Sequence, residues 1–454
     1  MNKYLIIILF LNNFLSANFD SQISNRIRHD FNLRGNHIER NSYNNEDELL
    51  QFIESTMQTH LIPGLSFSIV KDNNIVLEKQ LGYANIDESI LVDENTMFIL
   101  SSISKTVTAT ALMQLFEDGQ FELDDHINNY LPFNVIHPNY PLVPITFKML
   151  LSHLSGIQDN WNIMPYYNGD SNLELSYYLK EYLTSGGEFY ESNSNFTNAE
   201  PGTNYSYSNI GTALIGLLVE QISNQSFNEY CIENIFQPLG MNDAYWFLSE
   251  IENLNQVASP HQLAEGSTDS LVVLENYGYS DYPAGQLRTT SNDLAKFLSA
   301  FNNDGLYNGI QLLNIETIDI MKTIHYPDAA YDQGLMWYYK SLNGSNLFGH
   351  SGSDLGSVTE MFLSSSENIG IVLLSNSRNH EGMALIESAV FDYATQTDFI
   401  PSGDLNFDSV LSDEDISILV NLILEEGYDF ISDLNYDNNL DVFDLLELIN
   451  VIIP

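Results

Sequence analysis

Three short segments hold side chains that together can carry out acyl transfer: Ser102-Ile103-Ser104-Lys105, Tyr207-Ser208-Asn209 and His350-Ser351-Gly352. The first pairs a hydroxyl with an amine and the second a phenol with an amide. The third sets an imidazole ahead of small residues that leave room for an acyl group. Ser102 and Lys105 are three apart, so in the first turn of a helix their side chains share a face. A serine hydroxyl is a poor nucleophile until a base takes its proton. A lysine desolvated against an apolar helix is such a base once its pKa falls. A phenol beside an ammonium is a second, because the positive charge favours the phenolate. The helix N-terminus adds a positive field where an oxyanion would form. Each motif alone is too common to identify a chemistry. The sequence has no G-x-S-x-G elbow and no H-E-x-x-H zinc motif.

The elements that must position these groups are legible around them. Apolar residues at Leu49, Leu50, Phe52, Ile53 and Met57 predict a helix over 46–58, ended by Ile62-Pro63-Gly64. Segments 65–70 and 75–81 flank Asp72-Asn73-Asn74, the composition of a hairpin turn. After Ser102 an apolar helix runs over 107–117 and closes at Gly119. Helical stretches and long loops fill 120–330. Strand patterns return at 358–363 and 369–374, followed by a helix over 383–395. Strands near both ends with helices between them predict an α/β (α+β) domain, in which one sheet is built from both ends and a helical region is inserted. His153 reads as a packing residue. So do Trp161, Tyr166, Tyr167, Tyr245 and Trp246, aromatics in loops that would otherwise line a cleft.

Two further segments, Ile145 to Gly156 and Ala284 to Thr290, stand in order between the three motifs. On these five segments the chain resembles the serine beta-lactamase and penicillin-binding protein superfamily. The similarity is to its branch of class C beta-lactamases, DD-carboxypeptidases, D-aminopeptidases and family VIII esterases, and it spans about residues 46–397. The resemblance implies a beta-lactamase/transpeptidase-like fold with an antiparallel sheet. It implies that Ser102 is acylated, that Lys105 activates it, and that Tyr207 shuttles a proton to the leaving group and later from water. Asn209 would hold the substrate amide or the Lys105 ammonium. The backbone N–H groups of Ser102 and Ser353 would form the oxyanion hole, beside Ser351 and Gly352. Whether Lys105 or Tyr207 is the base stays open. Beta-lactamases of this branch mostly carry Lys-Thr-Gly where this chain has His350-Ser351-Gly352, and the histidine form is similar to DD-peptidases and D-aminopeptidases. A histidine is only partly charged at neutral pH, so it attracts an anionic lactam less well than lysine. Arg288 is the cation near a motif that could bind a substrate carboxylate, with a surface or structural arginine as the equal alternative. The expected substrates are a small ester or a D-amino-acid amide or peptide. A beta-lactamase and a non-catalytic penicillin-binding-like scaffold are the alternatives.

The chain has 454 residues, a formal net charge of -46 and 15 lysines plus arginines. Nucleic acid and anionic membrane surfaces need clustered cations and are excluded as partners. Cys231 stands alone, so no intrachain disulfide forms. Residues 1–17 join a short positive start to an apolar stretch ending at Ser16-Ala17 and read as a secretory signal, giving a secreted, periplasmic or cell-surface protein. Residues 18–45 read as a polar linker and 398–403 as a second linker.

Beyond it, over 404–454, one acidic pattern occurs twice. Asp404, Asn406, Asp408 and Asp415 occupy positions one, three, five and twelve of the first copy. Asp433, Asn435, Asp437 and Asp444 repeat them 29 residues on, and each copy opens an apolar helix. Oxygen ligands at those positions are what Ca²⁺ requires. The pair resembles a dockerin type I repeat, which implies a small all-α, EF-hand-like module holding structural Ca²⁺ and docking a cohesin-bearing or cell-surface partner. Position six is Ser409 and Asn438 where glycine is usual, which predicts weaker binding at the first site. No cofactor is expected for the catalysis.

Overall fold

The structure, a computed structural model, describes residues 42–397, 399, 403–406, 411–424, 432–434 and 439–452. The expected signal, most of both linkers, and Asp408, Ser409, Asn435, Asp437 and Asn438 lie outside the described residues.

A seven-stranded antiparallel sheet organises the main domain. Helix α1 (Glu46–His60) begins at Asn45, whose side chain accepts from the Glu48 N–H, and leads into β1 (Gly64–Lys71). Asp72 and Asn73 both have φ near +60°, at 50° and 67°. Their conformation makes the tight hairpin turn into β2 (Asn74–Asn85), followed by the short β3 (Ile90–Leu91). The chain returns to the sheet with β4 (Tyr338–Leu342), β5 (Ser345–Asp354), β6 (Ser357–Ser364) and β7 (Ile369–Ser375). The strand order is β4-β5-β6-β7-β1-β2-β3, so β1 from one end of the domain pairs with β7 from the other, Leu65 opposite Ser375. The predicted sheet from both ends is therefore present. The predicted strands were too few: β4 and β5, which carry the third motif, have mixed polar and apolar residues without strict alternation.

Alternation in β1 sorts the layers. Leu65, Phe67 and Ile69 face α1 and the C-terminal helix of the domain in one apolar cluster. Ser66 and Ser68 face the other way, and both hydroxyls meet Ser291 Oγ, at 2.8 and 3.0 Å. The inserted region supplies α2 (Ser104–Glu117), α3 (Asn209–Ser223) and α4 (Ser291–Asn302), and α5 (His380–Gln396) follows β7. Helices α2 and α3 pack together, and α3 is buried continuously from Ile210 to Val219. A helix apolar on all sides has to be interior. These two interior helices carry the first two motifs.

At the C-terminal end, α6 (Asp413–Leu424) and α7 (Val442–Ile452) pack on each other, and each buries one leucine, Leu419 and Leu448. Each begins with the same device. Asp415 accepts from the Ser412 N–H at 2.8 Å, and Asp444 accepts from the Asp441 N–H at 2.8 Å, the acidic half of a capping box. The same carboxylates reach back to Leu405 and Leu434 backbone N–H groups, at 2.8 and 2.7 Å. No helix among the described residues is long and apolar enough to cross a membrane.

Candidate active site

Ser102 stands in a tight turn. The two-residue strand Phe98–Ile99 pairs with Arg288–Thr289, and the Leu100 N–H donates to the Leu287 carbonyl at 2.8 Å. Ser101 then takes a left-handed conformation, φ 50°, unusual for a residue with a side chain. Such strain persists only where surroundings over-determine it. It turns the chain into one 3₁₀ turn, Ser101–Ile103, from which α2 continues. Ser102 and Lys105 therefore share a helical face as the spacing predicted.

Lys105 is wholly buried, and its ammonium donates in three directions: to Ser102 Oγ at 3.2 Å, Asn209 Oδ1 at 2.7 Å and the Ala284 carbonyl at 2.6 Å. Burial pulls its pKa down to about 7, against the charges of Asp159, Asp281 and Asp354, which pull it up. The Tyr207 hydroxyl donates to Ser102 Oγ at 2.7 Å, and Lys105 Nζ lies 4.9 Å from the Tyr207 ring centre. The sequence reading allowed a lowered phenol pKa. Burial instead pushes Tyr207 well above 10, with the hydrogen bond to Ser102 opposing only part of it. Of the two bases left open, the amine is the one whose neutral form is accessible near neutral pH.

Helix α3 delivers the second motif. Ser208 caps it, its hydroxyl accepting from the Gly211 N–H at 2.9 Å. A carboxylate that the sequence reading missed sits at this helix start. Asp159 accepts from Ser208 Oγ, the Asn209 and Ile210 N–H groups and Asn209 Nδ2, at 2.9 to 3.1 Å. The last bond fixes the Asn209 amide with its oxygen toward Lys105. Burial raises the Asp159 pKa, while the donors and the Lys105 charge oppose the rise. The signal available was an acidic residue in the loop after Ser155-Gly156, with no spacing to mark it. His153 is buried as expected, but it also works for the site: its ring lies 4.5 Å from the Tyr207 ring, and its Nδ1 accepts from the Ser208 N–H at 3.3 Å.

The third motif lies on β5. Gly352 is needed there for close approach: a Cβ would stand 2.3 Å from the Leu100 carbonyl oxygen and 2.3 Å from Thr359 Oγ1. Its absence brings Ser353 to the Ser102 turn, and both serines line one open cavity with Asn209. Ser351 and Gly352 stand behind that wall, with Ser351 Oγ 2.8 Å from the Tyr338 hydroxyl. His350 is 4% exposed, places Nδ1 2.6 Å from the Ser351 carbonyl oxygen and packs between Tyr338 and Tyr207. It does not line the cavity, which corrects the expectation that it presents charge to a substrate.

Arg288 is a second correction. It is 1% exposed, and its guanidinium donates to the Gln286 and Tyr277 carbonyls, so it holds loops together and does not reach the cavity. The cation in the cavity wall is Arg378, which follows β7. Carboxylates of Asp281 and Asp354 share the wall. Burial raises both, Asp281 to about 7. Of the five loop aromatics read as packing, Trp246 is wholly buried, while Trp161 and Tyr166 line the cavity. The predicted Ca²⁺ ligands form no part of this site. Among the described residues no group of three His, Cys, Asp or Glu side chains is arranged to hold a metal, and Asp408 and Asp437 lie outside them.

Known proteins share this arrangement of chain. The protein Flp of Staphylococcus aureus (strain N315) is 25% identical over 344 residues, which cover 75% of this chain and 65% of Flp. The chain thus spans about two thirds of the length of the first curated relatives it matches. The octameric penicillin-binding protein homologue of Pyrococcus abyssi superposes with a TM-score of 0.60 at 26% identity, covering 76% of each chain. A D-amino acid amidase of Ochrobactrum anthropi SV3, solved with D-phenylalanine, has the same fold, with a TM-score of 0.61 at 21% identity over 76% of this chain and 99% of that one. The family model described as beta-lactamase matches residues 49–394, from α1 to the end of α5, and the chain belongs to the beta-lactamase family.

Proposed function

We propose that this chain is a serine hydrolase that forms an acyl-enzyme on Ser102 from an ester or a D-amino-acid amide or peptide. One observation carries the reading: Ser102 Oγ, in the wall of an open cavity, is met by Lys105 Nζ at 3.2 Å and by the Tyr207 hydroxyl at 2.7 Å. A nucleophile, an amine of lowered basicity and a phenol that can relay a proton then share one point. Neutral Lys105 takes the Ser102 proton as Oγ bonds to the carbonyl carbon. The backbone N–H groups of Ser102 and Ser353 receive the oxyanion. Tyr207 passes a proton to the departing alcohol or amine and is reprotonated from Lys105. Water then enters by the reverse path, and the Ser102 ester is hydrolysed. The amidase named above supports amides as one substrate class, and the buried His350 argues against capture of an anionic lactam.

Intact mass of the purified chain, mixed in parallel with p-nitrophenyl acetate, D-alanine p-nitroanilide and benzylpenicillin, tests this. Turnover of the ester or anilide, lost in Ser102→Ala, is the expected result. A penicilloyl adduct that clears rapidly with lactam turnover would make the protein a beta-lactamase. No adduct and no turnover with any probe would leave a binding protein.

We further infer that the protein is secreted and that its C-terminal repeat binds Ca²⁺ and docks a cohesin-bearing or surface partner. The donor chemistry fits. Asp404, Asp415, Asp433 and Asp444, the first and twelfth positions of both copies, are each buried to 2% exposure or less. Hard oxygen donors held so close to burial favour a divalent cation over bare mutual repulsion. Asp404, Asn406, Asp408 and Asp415 would hold one ion and Asp433, Asn435, Asp437 and Asp444 the other. The ion would supply folding energy to the repeat and take no part in acyl transfer.

A further inference from the structure

We propose that His380 is a positioning residue for the acyl transfer inferred above: by gripping the Ser353 hydroxyl it fixes the angle at which the Ser353 N–H meets the oxyanion. The proposal rests on that reading of the reaction and adds to it a residue from outside the five motif segments.

Ser353 stands where β5 is held on one side only. The pairing of β4 with β5 ends at Tyr338 opposite Gly349, while β6 runs on beside β5 to Ser357 opposite Asp354. From His350 onward the outer edge of β5 has no strand beside it among the described residues, and a strand edge presents its N–H groups to whatever adjoins it. The same edge leaves the strand able to turn about its own axis. Gly352 sets how closely β5 approaches the Ser102 turn but has no side chain to set that twist. Its two successors do. Asp354 Oδ1 accepts from the Tyr166 hydroxyl at 2.7 Å, and Ser353 Oγ lies 3.1 Å from His380 Nε2.

The imidazole stands on a fixed base. His380 is the first residue of α5, and Asn379 caps it. The Asn379 side chain accepts from the Gly382 N–H at 2.8 Å and donates to the His60 carbonyl at 2.7 Å, which ties the start of α5 to the end of α1. Gly382 keeps the two close, since a Cβ there would stand 2.7 Å from the His60 Cβ. Before the cap, the Ser377 hydroxyl donates to the Leu61 carbonyl at 3.2 Å. The segment after β7 is thus anchored at three points, and His380 passes that anchorage to Ser353.

A hydroxyl beside an imidazole is also the pattern of a nucleophile and its base, and Ser353 shares a cavity with Ser102. Two observations count against that role. The base of such a pair is oriented by a third group, and His380 Nδ1 has no partner among the described residues. Burial and the Arg378 charge also pull the His380 pKa down to about 4, which makes the ring a weak base and keeps it neutral wherever Lys105 is basic.

A double-mutant cycle on Ser353 and His380 tests the proposal, read by p-nitrophenyl acetate hydrolysis and by inhibition with phenylboronic acid. Ser102 Oγ adds to the boron, its proton going to Lys105, and the tetrahedral adduct sets a boron-bound oxygen at the oxyanion position. His380→Phe, checked for an unchanged melting temperature, is expected to lower kcat/KM about tenfold, the worth of one hydrogen bond, and to weaken the boronic acid by the same factor. Binding of N-acetyl-D-alaninamide, which forms no oxyanion, should stay within about twofold. Ser353→Ala should match His380→Phe, and the double variant should lose no more than either alone. His380→Gln, whose amide sets a donor where Nε2 stands, should recover most of the loss. Additive losses, an unchanged boronic acid affinity in His380→Phe, or an acyl adduct on Ser353 in Ser102→Ala protein would each overturn the proposal. Absence of ester turnover by the unmutated chain would instead sink the hydrolase reading, and the boronic acid alone would then read the cycle. An unmutated chain that neither turned over the ester nor bound the boronic acid would overturn both.

Discussion

At the scale of single residues, the site turns on a lysine whose three donors are all engaged inside the protein. Its pKa near 7 gives kcat/KM a rising limb: above about 7 the folded amine is neutral and can take the Ser102 proton, below it the ammonium cannot. An ester assay from acid to mild alkali should show that limb, and Lys105→Arg, which cannot deprotonate, should show no acylation by mass. The sign for stability follows the same value. The folded pKa lies below the ordinary 10.5, so between about 7 and 10.5 the unfolded chain binds more protons. The cost of burying Lys105 is thus complete below 7 and fades as pH rises. Asp159 acts through its neighbours as a positioning residue. Asp159→Asn should slow acylation by about tenfold or more through a loosened Asn209. Because the Asp159 charge raises the Lys105 pKa, its removal should also move the rising limb to lower pH. A purely structural role would leave the limb where it was.

At the scale of elements, the site is a meeting of one turn, one helix start and one strand, and Gly352 sets the distance between turn and strand. Gly352→Ala should push β5 off the Leu100 carbonyl and displace the Ser353 N–H from the oxyanion position. A loss of about a hundredfold in kcat, with little change in KM, is the expected outcome; unchanged kcat would remove Ser353 from the oxyanion role. This assembly explains what the sequence reading could and could not see. Helices α1, α2 and α5 have apolar stripes and were placed within a few residues. Hairpin residues Asp72 and Asn73 announced their turn by type. Ser102 and Lys105 were recognisable because a short helical spacing puts them on one face, and Tyr207 because its motif stands in the order that the family resemblance implies. Asp159, Asp281, Asp354 and Arg378 gave no such signal. They come from a loop, the residue before a short turn, the end of β5 and the segment that follows β7, and only the fold brings them to the cavity and the groups behind it. Of the two readings open for Arg288 the structural one holds, because nearness to a motif along the chain says nothing about which way a side chain faces.

At the scale of the whole molecule, few cations serve a large acidic surface. Of 15 lysines and arginines, Lys105 and Arg288 are buried in the site region, and Lys340 is enclosed by Glu360, Glu387 and the ring of Phe362. The C-terminal repeat concentrates acid further, and its predicted dependence on Ca²⁺ belongs at this scale. Calorimetric melting of the full chain with and without chelator should move one transition, that of the repeat, to lower temperature. The transition of the sheet domain and the ester turnover should not move. A chelator that changed neither transition would remove Ca²⁺ from the account.

The pairing of β1 with β7 sets an order of assembly on the ribosome. Leu65 must wait for Ser375 before the sheet has its centre, and 310 residues separate the two. Until then β1 and β2 form a hairpin with an unpaired apolar edge, and the Ser102 turn lacks the strand that Gly352 brings to it. Pairing over so long a stretch is slow to close. Nascent chains stopped short of β7 would be cut freely by protease and bind no active-site probe. Ser102 is therefore translated early and its surroundings are completed last, so a growing chain holds no assembled Ser102 site until nearly the whole domain has emerged.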